Sequence, residues 1–514
     1  METAIDTPTD NGPDRTPPRG SGALAGLIAV AVALAVAELF VGIVGRGQSV
    51  IVSIGNWVIG VSPEPLVKWA IRTFGTADKL VLVVSILATL FLLGSMVGVV
   101  ATRRLMPAAV AFVGAGILGL ILAATDPVTD VTVAAVAIVL AVFLGFTALV
   151  VLVRKRRLAV TDDSRRSFLT AMGVTAVMAG IGAMIGRSLV NGISAASERA
   201  GISLPTSQEG PVAVPDGAQV DGAVPVITPN EDFYLIDTAL RPPPVDLATW
   251  TLTIKGMVDE EVVLTYDDLS ALATTERIVT LSCVSNSVGG SLVGTAKWLG
   301  VPLRDVLDMA GVQEGATQIV GRAIDDFTVG FPTEAAYDGR DALIAIGMND
   351  EPLPVDHGYP ARLVVAGLYG YVSATKWLSE IELTTWDGFD AYWVPRGWSK
   401  TGPIKTQSRI DSPTKESNVA TGLRRIAGVA WAPNIGIDAV EVSIDGGEWI
   451  PATLGEPLGD NAWRQWYVEW DAPSGRHTIA VRATDSSGYT QTAELAAPRP
   501  DGATGHHTIA VNVA

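Results

Sequence analysis

Long uninterrupted apolar runs fill the first third of the chain and then stop. They span roughly 22–45, 80–101, 107–125, 129–153 and 168–190, each close to the ~20 residues a bilayer-crossing helix requires. A further run at 49–61, interrupted by Asn56 and Trp57, is too short to span and reads as an interfacial or re-entrant piece. Ahead of them, residues 1–21 are polar and rich in Pro, Gly, Thr and Asp, the composition of a disordered tail. Beyond 190 the pattern changes period. Residues 191–225, with Pro205, Pro211 and Pro215, read as a linker. In 226–398, Trp250–Ile254 alternates like a strand, Thr265 caps a helix start at Leu264–Leu269, Leu303–Ala310 reads as a short helix and Ala361–Val365 as a buried strand. In 399–514 only strand patterns remain: Glu441–Ile444, a turn at Asp445-Gly446-Gly447, Trp466–Trp470 and His477–Arg482. The expected architecture is therefore multi-domain. A transmembrane bundle of about five helices (22–190) precedes a mixed α+β domain (226–398) and a β-sandwich of about 110 residues (399–514).

Charge divides along the same line. Residues 1–166 carry a net +3 and the rest −20, within a total of −17. An acidic second part offers no electrostatic footing for nucleic acid. Within the membrane part, cations cluster after the second span (Arg103, Arg104) and after the fourth (Arg154, Lys155, Arg156, Arg157), whereas the turn near Thr125–Asp130 has none. Positive loops stay inside, so the fifth span carries the chain out and everything after about Asn191 is extracytoplasmic. Arg46, Lys68, Arg72 and Lys79 in the first outer loop run against that assignment. Ser164-Arg165-Arg166-Ser167-Phe168-Leu169, just ahead of the fifth run, has the form of a twin-arginine export signal, which carries domains already folded. The ordinary alternative is positive-inside anchoring. Glu38 is a carboxyl inside the first span; it is a functional candidate, with a place near a helix end or pairing with a neighbouring helix as the plainer expectation.

Chemistry concentrates at Thr280-Leu-Ser-Cys283-Val-Ser285-Asn286-Ser287-Val-Gly289-Gly290. Cys283 is the sole cysteine. It cannot form an internal disulfide and cannot build a thiolate zinc or iron–sulfur site alone. Three readings stay open on the residues themselves: a buried small hydrophobe, a nucleophile, or the single protein thiolate on a metal whose other ligands come from a cofactor.

Four stretches narrow the choice. Thr228-Pro-Asn-Glu-Asp-Phe233-Tyr234 is followed by Cys283-Val-Ser-Asn286. Trp298-Leu-Gly-Val-Pro-Leu-Arg304 comes next, and then Asp356-His357-Gly-Tyr-Pro-Ala-Arg362-Leu-Val-Val365 running on to Lys376-Trp377-Leu378. In this order they resemble the sulfite oxidase family of molybdenum-cofactor enzymes over about 225–395, and 399–514 resembles that family's immunoglobulin-like dimerisation domain. The resemblance implies a molybdenum–molybdopterin cofactor whose metal is held by Cys283. It implies that His357, Arg362 and Lys376 hold the pterin and its phosphate, with Phe233, Tyr234, Asp237, Ser285 and Asn286 around it and Thr238 near the pocket. Gly289, Gly290 and Thr295 are weaker candidates, with turn formation and packing as their plain alternative.

The departures bear on substrate. Ile236 and Ser287 stand where sulfite oxidases place arginines, and Phe327 stands near the family's active-site tyrosine. Paired arginines are what a dianion wants, so sulfite is disfavoured. The four histidines (His357, His477, His506, His507) all lie outside the apolar runs and there is one cysteine, so neither a heme nor an iron–sulfur cluster is expected, and electrons must leave or enter through a separate cytochrome or quinone-linked partner. The expected protein is a membrane-anchored extracytoplasmic oxidoreductase performing two-electron oxygen-atom transfer on a small molecule, possible as a homodimer through its C-terminal domain. The rival is a non-catalytic membrane-tethered binding or assembly protein that keeps the fold.

Overall fold

The computed structural model describes residues 19–44, 48–157, 170, 173, 180, 182 and 199–514. They divide into two units, Met1–Asn191 and Gly192–Ala514. The expected fifth span and the twin-arginine-like segment at 164–169 lie essentially outside the described residues.

The first unit is helical: α1 (Arg19–Val44), α2 (Val50–Val61), α3 (Glu64–Phe74), α4 (Asp78–Ala101), α5 (Leu105–Ala124) and α6 (Val131–Arg157). Four of these, α1, α4, α5 and α6, are long and apolar enough to cross a membrane. They coincide with the first four long runs to within a few residues, and the short run is α2. The helix α3 was not anticipated. Its helical period mixes charged and apolar positions, which hides it from an average-hydropathy reading. In lipid, apolar burial gives helices little reason to associate, so close packing at small residues takes over. Gly22 and Gly26 on α1 face Gly94 and Gly98 on α4. A Cβ on Gly26 would collide with the Gly94 carbonyl oxygen, and one on Gly98 with that of Gly22. Gly26→Leu is expected to wedge α1 from α4 and cost about 1–3 kcal/mol, read as a lower thermal midpoint of the detergent-solubilised chain.

A buried polar set ties α1, α2 and the turn between α5 and α6 together. The Ser49 hydroxyl donates to the Glu38 carboxylate. Ser53 and Thr129 hydroxyls lie 3.0 Å apart, and the Asn56 amide donates to Asp126 at 3.1 Å. Glu38 thus has the partner expected of it, so its burial is not a free cost.

The second unit begins with β1 (Thr251–Gly256), β2 (Val262–Thr265), α7 (Tyr266–Leu272), β3 (Thr275–Ser282), β4 (Val293–Pro302), α8 (Leu303–Ala310), β5 (Gln318–Ala323), β6 (Thr328–Pro332), β7 (Ala342–Met348), β8 (Glu351–Pro352), β9 (Arg362–Val365), α9 (Gly370–Ser373) and β10 (Leu378–Thr384). One sheet has the order β2-β1-β10-β5-β6, with β1 and β10 parallel. The other runs β3-β4-β7-β8, with β9 added on β7. A single core joins both sheets, including Leu252, Trp298, Phe331, Ile344 and Leu363. Strands β7 and β9 are buried along their whole length, which is why they read as solid apolar runs rather than alternating ones. Thr265 caps α7 as expected, in a reciprocal capping box with Asp268. Thr265→Ala should cost about 1 kcal/mol by chemical denaturation.

The C-terminal segment is a two-sheet sandwich. Strands Gln407–Ser412, Gly422–Trp431, Arg464–Ala472 and Thr453–Leu454 form one sheet. Asn418–Val419, His507–Val513, Gly475–Asp485, Ile437–Ile444 and Ile450–Pro451 form the other. Ile426, Trp466, Val442, Val481 and Val511 from both sheets share the core between them. The turn at Asp445-Gly446 takes φ of 53° and 70°, the left-handed values a two-residue hairpin requires. The stretch read as a linker is, over its described part, laid against its neighbours. Val212 N–H donates to Glu276, Val220 N–H to Gln465 and Val224 N–H to Asp411. Its prolines mark an extended, side-chain-bonded strap rather than a free tether.

Candidate functional site

Strand β3 ends at Ser282, and the next residue is Cys283. The chain then turns: Asn286 N–H donates to the Cys283 carbonyl at 3.0 Å, and Cys283 N–H reaches Leu292 O at 3.0 Å. The position of β3 is fixed from the side by the sandwich. Thr280 N–H donates to Asn461 O at 2.9 Å, and Trp463 N–H donates to the Thr280 hydroxyl at 2.7 Å. The thiol is therefore held from two domains. It is 7% exposed, and burial raises its pKa. Ser285 N–H points at Sγ from 3.4 Å.

The thiol opens into a cleft of about 910 Å³. Phe233, Tyr234, Asp237, Thr238, Ser285, Phe327, His357, Arg362 and Lys376 line it together with Cys283. The expected site residues thus converge from four separate stretches, with Asn286 as the exception. Its side chain does not line the cleft; Oδ1 accepts from Leu292 N–H at 3.0 Å and ties the loop shut. Gly289, Gly290 and Thr295 also serve packing. Thr295 is fully buried against the Thr280 hydroxyl, and a Cβ on Gly290 would strike the Asn286 side chain.

Gly289, at φ 74°, lies under the His507 imidazole of the sandwich. The His507 Nδ1 accepts from Ile410 N–H at 3.0 Å, a bond that survives only while Nδ1 is bare. Burial, with Arg409 and Lys415 adding to it, lowers this imidazole to about 4. An unfolded histidine protonates first, so the stability it contributes is present above pH 6.5 and is lost as pH falls from 6.5 toward 4. His507→Gln should flatten that part of the stability–pH curve by about 2 kcal/mol after solvent screening, measured by urea melts across the range.

One wall of the cleft is basic. Arg362, at the start of β9, is 5% exposed. Its guanidinium lies 5.0 Å from the Trp298 ring centroid and donates to His357 O at 3.0 Å. Among the described residues no carboxylate forms an ion pair with it, and burial lowers its pKa to about 10. Lys376 pairs with Asp237 and donates to Asp356 O at 2.7 Å. His357 Nε2 lies 2.7 Å from Asn230 O. A carbonyl only accepts, so this nitrogen carries the proton. Burial pushes His357 down to about 4, with Arg362 and Lys376 adding to the effect, so the ring is neutral at pH 7. Phe233 braces it edge-on, 5.6 Å between centroids, and stacks on Tyr234 at 5.3 Å.

A further part of the lining escaped the sequence reading. Asp325, Tyr371, Trp393 and Trp398 line the cleft together with Ile236 and Phe327. Their rings run in series: Tyr371 to Trp398 at 5.9 Å, Trp398 to Trp393 at 6.3 Å, Trp393 to Tyr392 at 5.1 Å and Tyr392 to Phe327 at 5.4 Å. The signal was present, since three of the 13 tryptophans fall in residues 386–398, a segment with no strand or helix period. Ser287, by contrast, does not line the cleft.

The donor set can be tested against a metal-bearing cofactor. Among the described residues no three His, Cys, Asp or Glu side chains are grouped to hold a metal, so a metal at Cys283 would have one soft protein ligand and would need its others from a cofactor. A buried guanidinium without a carboxylate wants an anion. Both features fit a pterin-borne metal with an anionic tail.

Residues 239–393 match the family described as the oxidoreductase molybdopterin binding domain. The chain is 30% identical to the mitochondrial sulfite oxidase of Homo sapiens, over 53% of this chain and 58% of that one. It is 29% identical to a nitrate reductase [NADH] of Hordeum vulgare, over 49% of this chain and 34% of that one. It thus spans little more than half, or about a third, of those relatives. The structure of the sulfane dehydrogenase SoxCD from Paracoccus pantotrophus aligns with a TM-score of 0.49 and 24% identity, covering 56% of this chain and 83% of that one. The match sets a molybdopterin-binding oxidoreductase domain over residues 239–393. Together with the curated relatives it supports a sulfite oxidase-like molybdopterin oxidoreductase.

Proposed function

We propose that the chain is a membrane-anchored, extracytoplasmic oxidoreductase that transfers an oxygen atom, with two electrons, to or from a small molecule. The observation that carries this reading is one cleft holding both a lone thiol and a buried guanidinium without a carboxylate partner. When bound, the molybdopterin supplies the two-electron redox chemistry. Cys283 would hold the metal, as a thiolate once bound, although burial alone favours the protonated thiol. Arg362 and Lys376 would hold the phosphate. Neutral His357 contributes polarity without adding charge. Tyr234, whose phenol burial keeps protonated, remains a hydrogen-bond donor at the same wall. Phe327, Trp393 and Trp398 exclude water from the reacting end.

Ile236 and Phe327 line the cleft where a dianion would want cations, and the nearby charge is the carboxyl of Asp325. These features support a substrate other than sulfite. Four apolar helices, with Arg103, Arg104, Arg154 and Lys155 at one set of helix ends, support anchoring with the oxidoreductase domain outside the cytoplasm. Electrons leave to, or enter from, a separate cytochrome or quinone-linked partner, according to the direction of the reaction. The sandwich, read as immunoglobulin-like, is a dimerisation surface in this proposal. Purified full-length chain should hold about one molybdenum per polypeptide. It should turn over with a redox dye on at least one of a panel of S-oxides, N-oxides, nitrate and sulfite. Metal-free protein from molybdenum-replete cells would defeat the reading in favour of a binding scaffold.

A further inference from the structure

The residues lining the cleft include a charged set and an aromatic set. On the basic wall, Lys376 is matched by Asp237, and Arg362 is the surplus cation. A phosphate-bearing cofactor engages both cations. The carboxyls then left over are Asp237, which shares Lys376 with that phosphate, and Asp325, two residues before Phe327. The Asp325 Oδ1 accepts Phe327 N–H at 3.2 Å, and among the described residues Asp325 has no cationic partner. Burial raises its pKa, and the nearby Asp237 and Asp326 add to the effect. A carboxyl so placed gains most from a positive charge brought into the chamber.

The surfaces beside it point the same way. Phe327, Trp393, Trp398 and Tyr371 all line the chamber in which Asp325 sits. Ring faces carry negative potential and attract cations, tryptophan most strongly. A neutral apolar substrate would be content with the rings and indifferent to the carboxyl. An anion would be repelled by both. A compact organic cation uses both. Asp326, adjacent at φ 63° and exposed, adds negative charge on the solvent side, and the net −20 of residues 167–514 raises the local concentration of cations.

We propose that the chamber facing Cys283 recognises substrates bearing a compact organic cation, such as a methylated ammonium, seated between Asp325 and the Phe327–Trp393–Trp398–Tyr371 wall. This rests on the oxidoreductase reading of the cleft and narrows its substrate class.

Choline and its neutral carbon isostere, 3,3-dimethylbutan-1-ol, are probes of nearly equal shape that differ in charge. Each is titrated calorimetrically into molybdenum-loaded, detergent-solubilised full-length chain, with molybdenum content measured on the same sample. Choline should bind about 10-fold more tightly or better. Asp325→Asn should erase most of that preference while leaving the neutral probe's affinity and the molybdenum content unchanged. Trp393→Leu should weaken choline more than the alcohol. Equal binding of the two probes to loaded wild-type protein, or a preference untouched by Asp325→Asn, overturns the inference and leaves the oxidoreductase reading standing. Loss of that broader reading would show separately, as a sample without molybdenum.

Discussion

Replacing Cys283 by serine is expected to abolish molybdenum-dependent turnover and to leave the protein folded. The argument rests on how the thiol is held. Its backbone is fixed by Leu292 O and by the turn to Asn286. The strand before it is clamped by Asn461 and Trp463 of the sandwich. None of these bonds uses sulfur. Serine is slightly smaller, and its hydroxyl can take the Ser285 N–H that now points at Sγ, so a stability change under about 1 kcal/mol is expected. The metal loses its one protein ligand, and a hard hydroxyl is a poor substitute for a soft thiolate. Even changes one layer further out cost metal sites about 10–100-fold, so the direct ligand should cost at least the upper end of that range. Turnover, molybdenum per chain and a urea melt on the same preparation check it. A serine variant with wild-type turnover would return Cys283 to the bland reading of a buried small hydrophobe.

How much of this was legible in the residues depends on what kind of pattern each feature leaves. The spans of α1, α4, α5 and α6 were readable because lipid imposes a length and a composition together. β9 was readable as a buried strand from the short apolar run at Ala361–Val365. The basic wall was readable because His357, Arg362 and Lys376 lie within 20 residues of one another in an ordered motif. The aromatic wall was not, because Asp325, Tyr371, Trp393 and Trp398 come from loops and a short helix whose residues share no period. Only tertiary folding brings them to the cleft that Arg362 also lines. Asn286 reads both as a cofactor-side residue and as one that orders the loop beneath the thiol, and its amide oxygen turns into the loop. Strap residues 199–225 were read as free because polar and proline-rich composition describes a solvated tether and a side-chain-bonded strap equally well.

Arg362→Leu is the second large expectation, and its value lies in two measurements moving apart. In the protein without cofactor, the guanidinium is buried with no carboxylate partner, which costs desolvation energy. Part of that cost is offset by the Trp298 ring and by the bond to His357 O. Leucine removes the desolvated charge and fills similar space beside Leu363 and Trp298, but leaves the His357 carbonyl without its donor. The opposing terms are each about 1–3 kcal/mol, so the stability of the cofactor-free chain should shift by less than about 2 kcal/mol in either direction. Cofactor retention has no such compensation. The charge that was expensive to bury is what the phosphate meets, and removing one member of a buried charge-assisted contact costs about 2–5 kcal/mol of binding, or about 30-fold or more. Arg362→Lys should recover part of that loss, because the charge returns without the planar fork. Retention is read by molybdenum content after gel filtration, and stability by urea melts of cofactor-stripped protein. A leucine variant that keeps its molybdenum would remove Arg362 from the anion site and leave its burial against Trp298 a matter of packing alone.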